Sequence, residues 1–407
     1  MLKFFNLEKT YQYLLIILAF LMPLTVFGGN LIIVIICLLW LFSGDYQNKY
    51  LQITSNKLLL ASILFFALHV IGLLWTENLI WGLHIVHKMW YFLLLLPIFY
   101  TIVRKEYIRF YISAFLLAIT FTEIASYLVW FEIIEPFKNA SVRNPTPFMS
   151  HISYNPILAF AIYLVLHEIF FNKKLSNLLL YFYCFFSITM TINMFITGGR
   201  AGQVIFFVML LILIFQVLNT KRVRALIISS LVMPLIFITA YYSSSLFNER
   251  VNLAINEVVT FQETKGFDSK TYSHTSVGLR LAMALNSWQI IKKNPIIGVG
   301  TGDFPQEYKK VNEISFPKLI NVENPHNMYS FVLVNLGFIG LLSMLAIFYY
   351  QIKLSFNSSS KLIRDLGITM PLMFLVLMLS DSYLLGHYTT LMFIFFSSFL
   401  YKDFEKP

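Results

Sequence analysis

Charge is what this chain has least of. Only 12% of its 407 residues are charged, against 58% hydrophobic, and the mean hydropathy is +0.72. Soluble domains carry roughly 25% charged residues, so the deficit excludes an ordinary soluble domain and points to a polytopic membrane protein. Cysteine is nearly absent too. Cys37 and Cys184 both lie inside apolar runs, which excludes a disulfide framework and a thiolate metal site and leaves packing as their role. No internal repeat or low-complexity tract is present. The glycine-rich stretch GVGTGDF (298–304) matches neither a P-loop nor a dinucleotide fingerprint and reads as a turn. Acidic residues are the scarcer sign, giving a net charge of +10. Basic loops that orient membrane helices account for that excess without nucleic acid.

What is present is a series of apolar runs. About 20 apolar residues cross a bilayer as a helix. On that yardstick twelve spans are expected, near 11–28, 29–43, 57–76, 84–103, 107–131, 153–171, 177–197, 201–218, 225–243, 326–350, 366–384 and 388–402. The N-terminal run has a short basic start but no small-residue cleavage site, so it is expected to be the first span, not a signal peptide. With both termini inside, each inner segment holds at least two Lys or Arg, from Lys3 and Lys9 to Lys402 and Lys406. Most of the remaining basic residues fall in one long outer loop, which the positive-inside rule does not count. The organisation expected is therefore helices one to nine (1–243), an outer loop (244–325) and helices ten to twelve (326–407).

A loop of that length inside a compact protein is usually functional. In SVGLRLAMALNSWQIIKKNP, Val277, Leu281, Leu285, Trp288 and Ile291 recur at helical spacing and Pro295 closes the run. An amphipathic helix is expected here, lying on the membrane surface or capping a cavity. A second, polar outer loop spans 132–152.

Ionisable residues inside spans are costly and each is a functional suspect. Lys88, Glu123, His69 and Asp381 all map to outer halves or outer ends, and the inner halves show no comparable set in the sequence. A polar cavity opening outward follows. Bland roles compete for each: an interfacial lysine, a paired carboxylate, a core histidine, a solvated turn aspartate. Arg200 sits in the turn TGGRAGQ, where Gly198, Gly199 and Gly202 would let backbone approach a ligand. Arg280 comes from the loop helix. The planar guanidinium fork bonds two phosphate oxygens and keeps its charge, so two arginines at one cavity, with Lys88, suit a diphosphate.

The apolar run NPHNMYSFVLVNLGFIGLL (324–342) opens on polar residues. Asn324 is expected as N-cap and Pro325 as first helical residue, which places His326 in the first turn, where the helix dipole disfavours imidazolium. A neutral imidazole serves as a general base, and the same helix end favours an anion. Base and anion site together suggest group transfer from a lipid-linked phosphate, with a simple interfacial histidine as the alternative. Gly337 and Gly340 are expected to let a neighbouring helix pack closely.

His326-Asn327, nine residues, then Gly337-Phe338-Ile339-Gly340 resembles the signature of the bacterial O-antigen ligase and polysaccharide polymerase superfamily. TGGRAGQ resembles that family's arginine turn, although Gly199 stands where Ser is more usual. The loop segment 278–304 and the span count are similar as well. The resemblance implies a GT-C-type, metal-independent inverting glycosyltransferase of the bacterial inner membrane, with no cofactor. Its donor would be an undecaprenyl-diphosphate-linked glycan and its acceptor a hydroxyl on lipid A-core, at the periplasmic face. It further implies that Arg200 and Arg280 hold the diphosphate, assisted by Lys88. His326 would deprotonate the acceptor, Asn327 and Glu123 would support, and Asp381 would orient the acceptor or His326. Alternatives within the superfamily are an O-antigen or exopolysaccharide polymerase and a protein O-oligosaccharyltransferase. A transporter is the alternative from another class; it should carry midplane charges in repeated halves.

Overall fold

The computed structural model describes residues 6–138, 140–263, 276–317 and 319–404; Lys3 and Lys406 fall outside them. Helices are α1 (Leu7–Leu21), α2 (Val26–Phe42), α3 (Tyr46–Ser55), α4 (Lys57–Ile71), α5 (Leu79–Trp90), α6 (Leu96–Ile102), α7 (Ile108–Trp130), α8 (His151–Phe171), α9 (Asn177–Ile196), α10 (Arg200–Leu218), α11 (Arg222–Ser243) and α12 (Ser245–Glu263). There follow α13 (Ser276–Lys293), α14 (Phe304–Ser315), α15 (Met328–Ser355), α16 (Lys361–Leu377) and α17 (His387–Leu400). Among the described residues there is no strand, only one isolated bridge between Ser141 and Asn144.

Each of the twelve expected segments holds a helix, and eight stretches are long and apolar enough to cross a bilayer by length and composition. The protein is thus an all-helical, polytopic membrane protein. The shorter members are α1, α2, α16 and α17, of 14 to 17 residues. Beyond α2 the chain bends by 115° into α3. The helix ends are set by local chemistry: Asn6, Thr25, Asn56, Asn78, Ser176 and Ser360 each cap the helix that follows by accepting a free first-turn N–H.

The centre of the bundle is α17, buried from Thr389 to Leu400. Its phenylalanines meet rings from several neighbours, such as Phe396 edge-on to Phe115 and Phe160, and Phe393 against Phe374, a geometry that matches ring quadrupoles. Chains on the rim do the reverse. Leu226, Leu231 and Leu235 of α11 and Tyr181, Phe185 and Ile188 of α9 are exposed, as lipid-facing residues must be.

One helix is broken, and the break positions the site. Inside α15, Gly337 takes φ 61°, ψ −159°. In an unbroken helix Phe338 and Ile339 would donate to Val334 and Asn335. Here their N–H groups donate instead to Pro295 O (2.8 Å) and Ile296 O (3.2 Å), while Val334 O and Asn335 O accept from Val299 N (2.9 Å) and Gly300 N (3.0 Å). The turn after α13 thus replaces two lost helical bonds with four of its own. A Cβ on Gly337 would overlap the Ile296 carbonyl, and one on Gly298 (φ 71°) the Asn335 backbone. The expectation that Gly337 and Gly340 admit a neighbouring helix is therefore corrected. Gly337 admits a loop turn, and a Cβ at Gly340 would meet Leu336 of its own kinked helix.

The same turn is tied sideways. Asp303 accepts from Glu77 N (2.9 Å) and Asn78 N (2.8 Å), and Thr301 Oγ1 donates to His69 O (2.7 Å). Helices α13 and α14 share a small core of Met283, Ile290, Ile291, Phe304, Tyr308 and Val311 that reaches Val334 of α15. The loop helix exists as expected, but its buried face does not follow the expected stripe. Ile291 is buried, yet Leu285 and Trp288 are exposed, while Asn286 and Ser287 are buried; the side chain of Val277 lies outside the described residues. The reason is polar: Asn286 Nδ2 donates to Asn312 Oδ1 at 3.0 Å, which favours turning that face inward.

The end of the bundle away from this loop is not free of buried charge, contrary to expectation. His167 Nε2 lies 3.1 Å from Asp365 Oδ2, and Lys361 Nζ lies 3.0 Å from the same oxygen. Tyr163, Gln216 and Thr369 continue the network. These residues look unremarkable in sequence because the network forms only when α8, α10 and α16 meet.

Candidate functional site

At the loop end of the bundle, two segments are zipped together: 324–328 before α15, and 378–382 after α16. Met328 N donates to Met378 O (2.9 Å), Asn327 Nδ2 to Leu379 O (3.0 Å) and Ser382 Oγ to Asn324 Oδ1 (2.8 Å). The fourth link joins His326 Nδ1 to Asp381 Oδ1 at 3.1 Å. A carboxylate only accepts, so Nδ1 carries the proton and Nε2 keeps its lone pair. The His326 side chain is 42% exposed, which leaves Nε2 reachable.

The helix start differs from expectation. Asn327 is the N-cap, accepting from Ser330 N, and α15 begins at Met328. Asn324 instead accepts the His326 N–H at 3.0 Å. His326 is therefore outside the helix, with φ 49°, a left-handed conformation that costs a non-glycine residue about 1–2 kcal/mol. The clasp of Asn324, Asn327 and Asp381 holds it there. Strain of this kind is stored where a side chain must be aimed.

Arg200 opens α10, half-buried. Two of the glycines around it are needed for packing. A Cβ on Gly199 would come within 2.6 Å of His151 O, and one on Gly202 would overlap the Asn155 backbone, whereas Gly198 has room. Asn155 secures the turn by donating to Met194 O and Gly199 O, and by accepting from Thr197 Oγ1. Asn144, from the 132–150 loop, accepts from Gly198 N (3.0 Å) and donates to His151 Nδ1 (2.6 Å).

Arg280 is exposed on α13. Its charge acts on Arg200, as do those of Arg250 and Glu257. Arg280 also acts on Tyr383, whose phenol is pushed up by burial and by Asp381, against the opposing pull of Ser380 and Arg280. Tyr383 thus lies within electrostatic range of both Arg280 and Asp381. Arg200, Arg280, Asp381 and His326, taken from four distant parts of the chain, are linked in turn, the first three by electrostatic range and the last pair by contact. Sequence reasoning missed Tyr383, Arg250 and Asn144; their only signal was position in segments flanking the site.

Three suspected residues are elsewhere. Lys88 lines a cavity of about 580 Å³ whose lining includes neither arginine nor His326. Glu123 is buried between α7 and its neighbours, with Oε1 unpartnered, near the Tyr154–Asn193–Ser126 hydrogen-bond chain. His69 is a core histidine, with Nδ1 at 2.8 Å from Phe65 O and its ring edge-on to Phe65. Among the described residues no three His, Cys, Asp or Glu side chains group as a metal site.

Residues 185–345 match the family model described as O-antigen ligase. That segment includes Arg200, Arg280 and His326, while Asp381 and Lys88 lie outside it. No curated protein matches the chain.

Proposed function

We propose, from the match of residues 185–345 to the O-antigen ligase family model, that the chain is an inverting glycosyltransferase of GT-C type. It moves a glycan from undecaprenyl diphosphate to an acceptor hydroxyl, on lipid A-core, at the periplasmic face of the inner membrane. The observation that carries the reading is the convergence of two arginines with an aspartate-oriented histidine.

In this reading Arg200 and Arg280 bind the diphosphate through charge-assisted bonds. His326 Nε2 takes the acceptor hydroxyl proton as the oxygen attacks the anomeric carbon opposite the leaving group. The bond from that carbon to the phosphate oxygen breaks, and the arginines neutralise the charge gathering on the departing diphosphate. Asp381 keeps the imidazole in the basic tautomer and stabilises the imidazolium that forms. Alignment of acceptor and donor supplies much of the remaining rate.

Deleting the gene and resolving surface glycan on gels tests this. Full-length polymer stranded on its carrier is the expected outcome. Lipid A-core bearing single repeat units would make the chain a polymerase, loss of glycan from protein hydroxyls an O-oligosaccharyltransferase, and unchanged glycan would refute glycan transfer.

A further inference from the structure

Group transfer between two membrane substrates needs two places to hold them, and the arginine pair accounts for one. The cavity of about 580 Å³ is set between α2, α5 and the start of α17. It lies at the same end of the bundle as His326, because the 381–387 segment serves both. Asp381 contacts His326, and Leu385 and His387, a few residues on, line the cavity. Glu323, three residues before His326, acts electrostatically on His84, another lining residue.

The polar lining holds a cation and no acid: Lys88, with His84, His87, His387 and Asn30 each able to offer a donor, and no Asp or Glu among the lining residues. His387 accepts or donates at Nδ1 with Tyr91 Oη, 2.6 Å away, which fixes the ring, and its Nε2 has no partner. The imidazoles beside a lysine suit an anion. A lysine ammonium with imidazole and amide donors is a phosphate-binding set.

One wall is of a different kind. Ile33 and Val34 of α2 complete the lining, and Val34 is 53% exposed, in line with Leu31 and Leu38 on the outer surface of that helix. The cavity therefore meets the lipid side of the bundle. Just beyond it, the helix passes through a π turn at Tyr91–Leu95, whose freed Phe92 carbonyl is taken by Ser62 Oγ at 2.6 Å. Such π turns are frequent at functional sites.

We propose that this cavity binds the phosphate headgroup of a second membrane amphiphile, with its acyl part along α2, and that this amphiphile is the phosphate-bearing glycolipid acceptor. The identity as acceptor rests on the glycan-transfer reading above; the phosphate site does not. Lys88 accordingly belongs to the acceptor side and not to the donor diphosphate.

The purified full-length protein in nanodiscs or detergent tests both parts. Native mass spectrometry with dioleoyl phosphatidic acid and neutral dioleoylglycerol as probes should show preferential retention of the phosphatidic acid. Lys88→Gln should weaken that retention by at least about tenfold, Lys88→Arg should restore it, and Arg200→Gln should leave it intact. Equal retention of the neutral lipid, or normal retention by Lys88→Gln, overturns the site. Displacement by inorganic phosphate at equal concentration would make it a free-phosphate site and overturn the amphiphile. In transfer assays Lys88→Gln should raise KM for acceptor with donor KM unchanged; a raised donor KM instead would return Lys88 to the arginines and overturn the assignment. If the glycan-transfer reading itself fails, no acceptor turns over at all, yet the lipid-retention pattern persists.

Discussion

His326 Nδ1 lies 3.1 Å from Asp381 Oδ1, across a gap of more than fifty residues in the chain, and that contact gives the imidazole a direction. Nδ1 faces the carboxylate, so in the neutral imidazole Nε2 presents a lone pair and not a proton. The consequence is asymmetric. His326→Ala should abolish transfer, since a positioned base contributes about 10²–10⁴-fold. Asp381→Asn, which keeps the shape but can donate to Nδ1 and favour the wrong tautomer, should lower kcat by about 10²-fold or more. Donor binding should persist in both. Single-turnover assays with separate donor-binding measurements decide it, and normal kcat in Asp381→Asn would remove Asp381 from the mechanism.

Arg280 and Arg200 carry like charges within electrostatic range of each other. Removing one should therefore help stability while harming binding. Arg280→Gln should melt no lower than the parent protein in detergent, yet lose the rise in Tm that the proposed donor, undecaprenyl diphosphate, is expected to give the parent. A lower Tm with the ligand-induced rise intact would show Arg280 to be structural.

The three glycines of TGGRAGQ should separate cleanly. Gly199→Ala and Gly202→Ala drive a methyl into the His151 carbonyl and the Asn155 backbone, and overpacking of this kind costs about 1–3 kcal/mol. Gly198→Ala meets nothing closer than 3.6 Å and should melt like the parent. Equal Tm values for all three would contradict the packing account.

Gly337→Ala combines left-handed strain with overlap on Ile296, so the Pro295–Gly300 turn should come off α15. Hydrogen exchange at Val299 and Gly300, whose N–H groups bond Val334 and Asn335, should accelerate markedly. Gly44 also has positive φ (71°) but open space around it. Gly44→Ala should cost only the backbone strain of about 1–2 kcal/mol and leave exchange at 299 and 300 unchanged.

Lys402, just after α17, donates to Tyr100 O at 2.6 Å and to Val103 O at 3.2 Å. Burial, with Arg104 nearby, lowers its pKa to about 8. A base whose folded pKa lies below its unfolded value costs stability at low pH, and the cost is relieved as pH rises from the folded pKa toward about 10.4, the unfolded value. Parent minus Lys402→Met stability should therefore increase between pH 8 and 10. A flat difference across that window would show that burial does not perturb the lysine.

Much of this was legible from residue order. A helix lies in each of the twelve expected segments, eight stretches being long and apolar enough to cross a bilayer, because hydropathy over about 20 residues is a local property. Scarce charge and the spacing from His326 to Gly337 pointed to the candidate site. What residue order could not carry was facing and partnership. The expected cap at Asn324 moved to Asn327 because Asn324 was taken by His326 N and Ser382 Oγ. The stripe on α13 was set aside because Asn286 found Asn312. Asp365 and His167 became a buried pair only when α16 met α8. Lys88, on a helix start that resembles any interfacial segment, was put by the tertiary arrangement in a cavity apart from the arginines. The sequence alone determined that helices form, where they lie and which residues carry charge, since these depend on side chains within a few turns. Only the tertiary structure decided which charges meet, because a hydrogen bond of 3 Å across 55 residues depends on every helix packed between them.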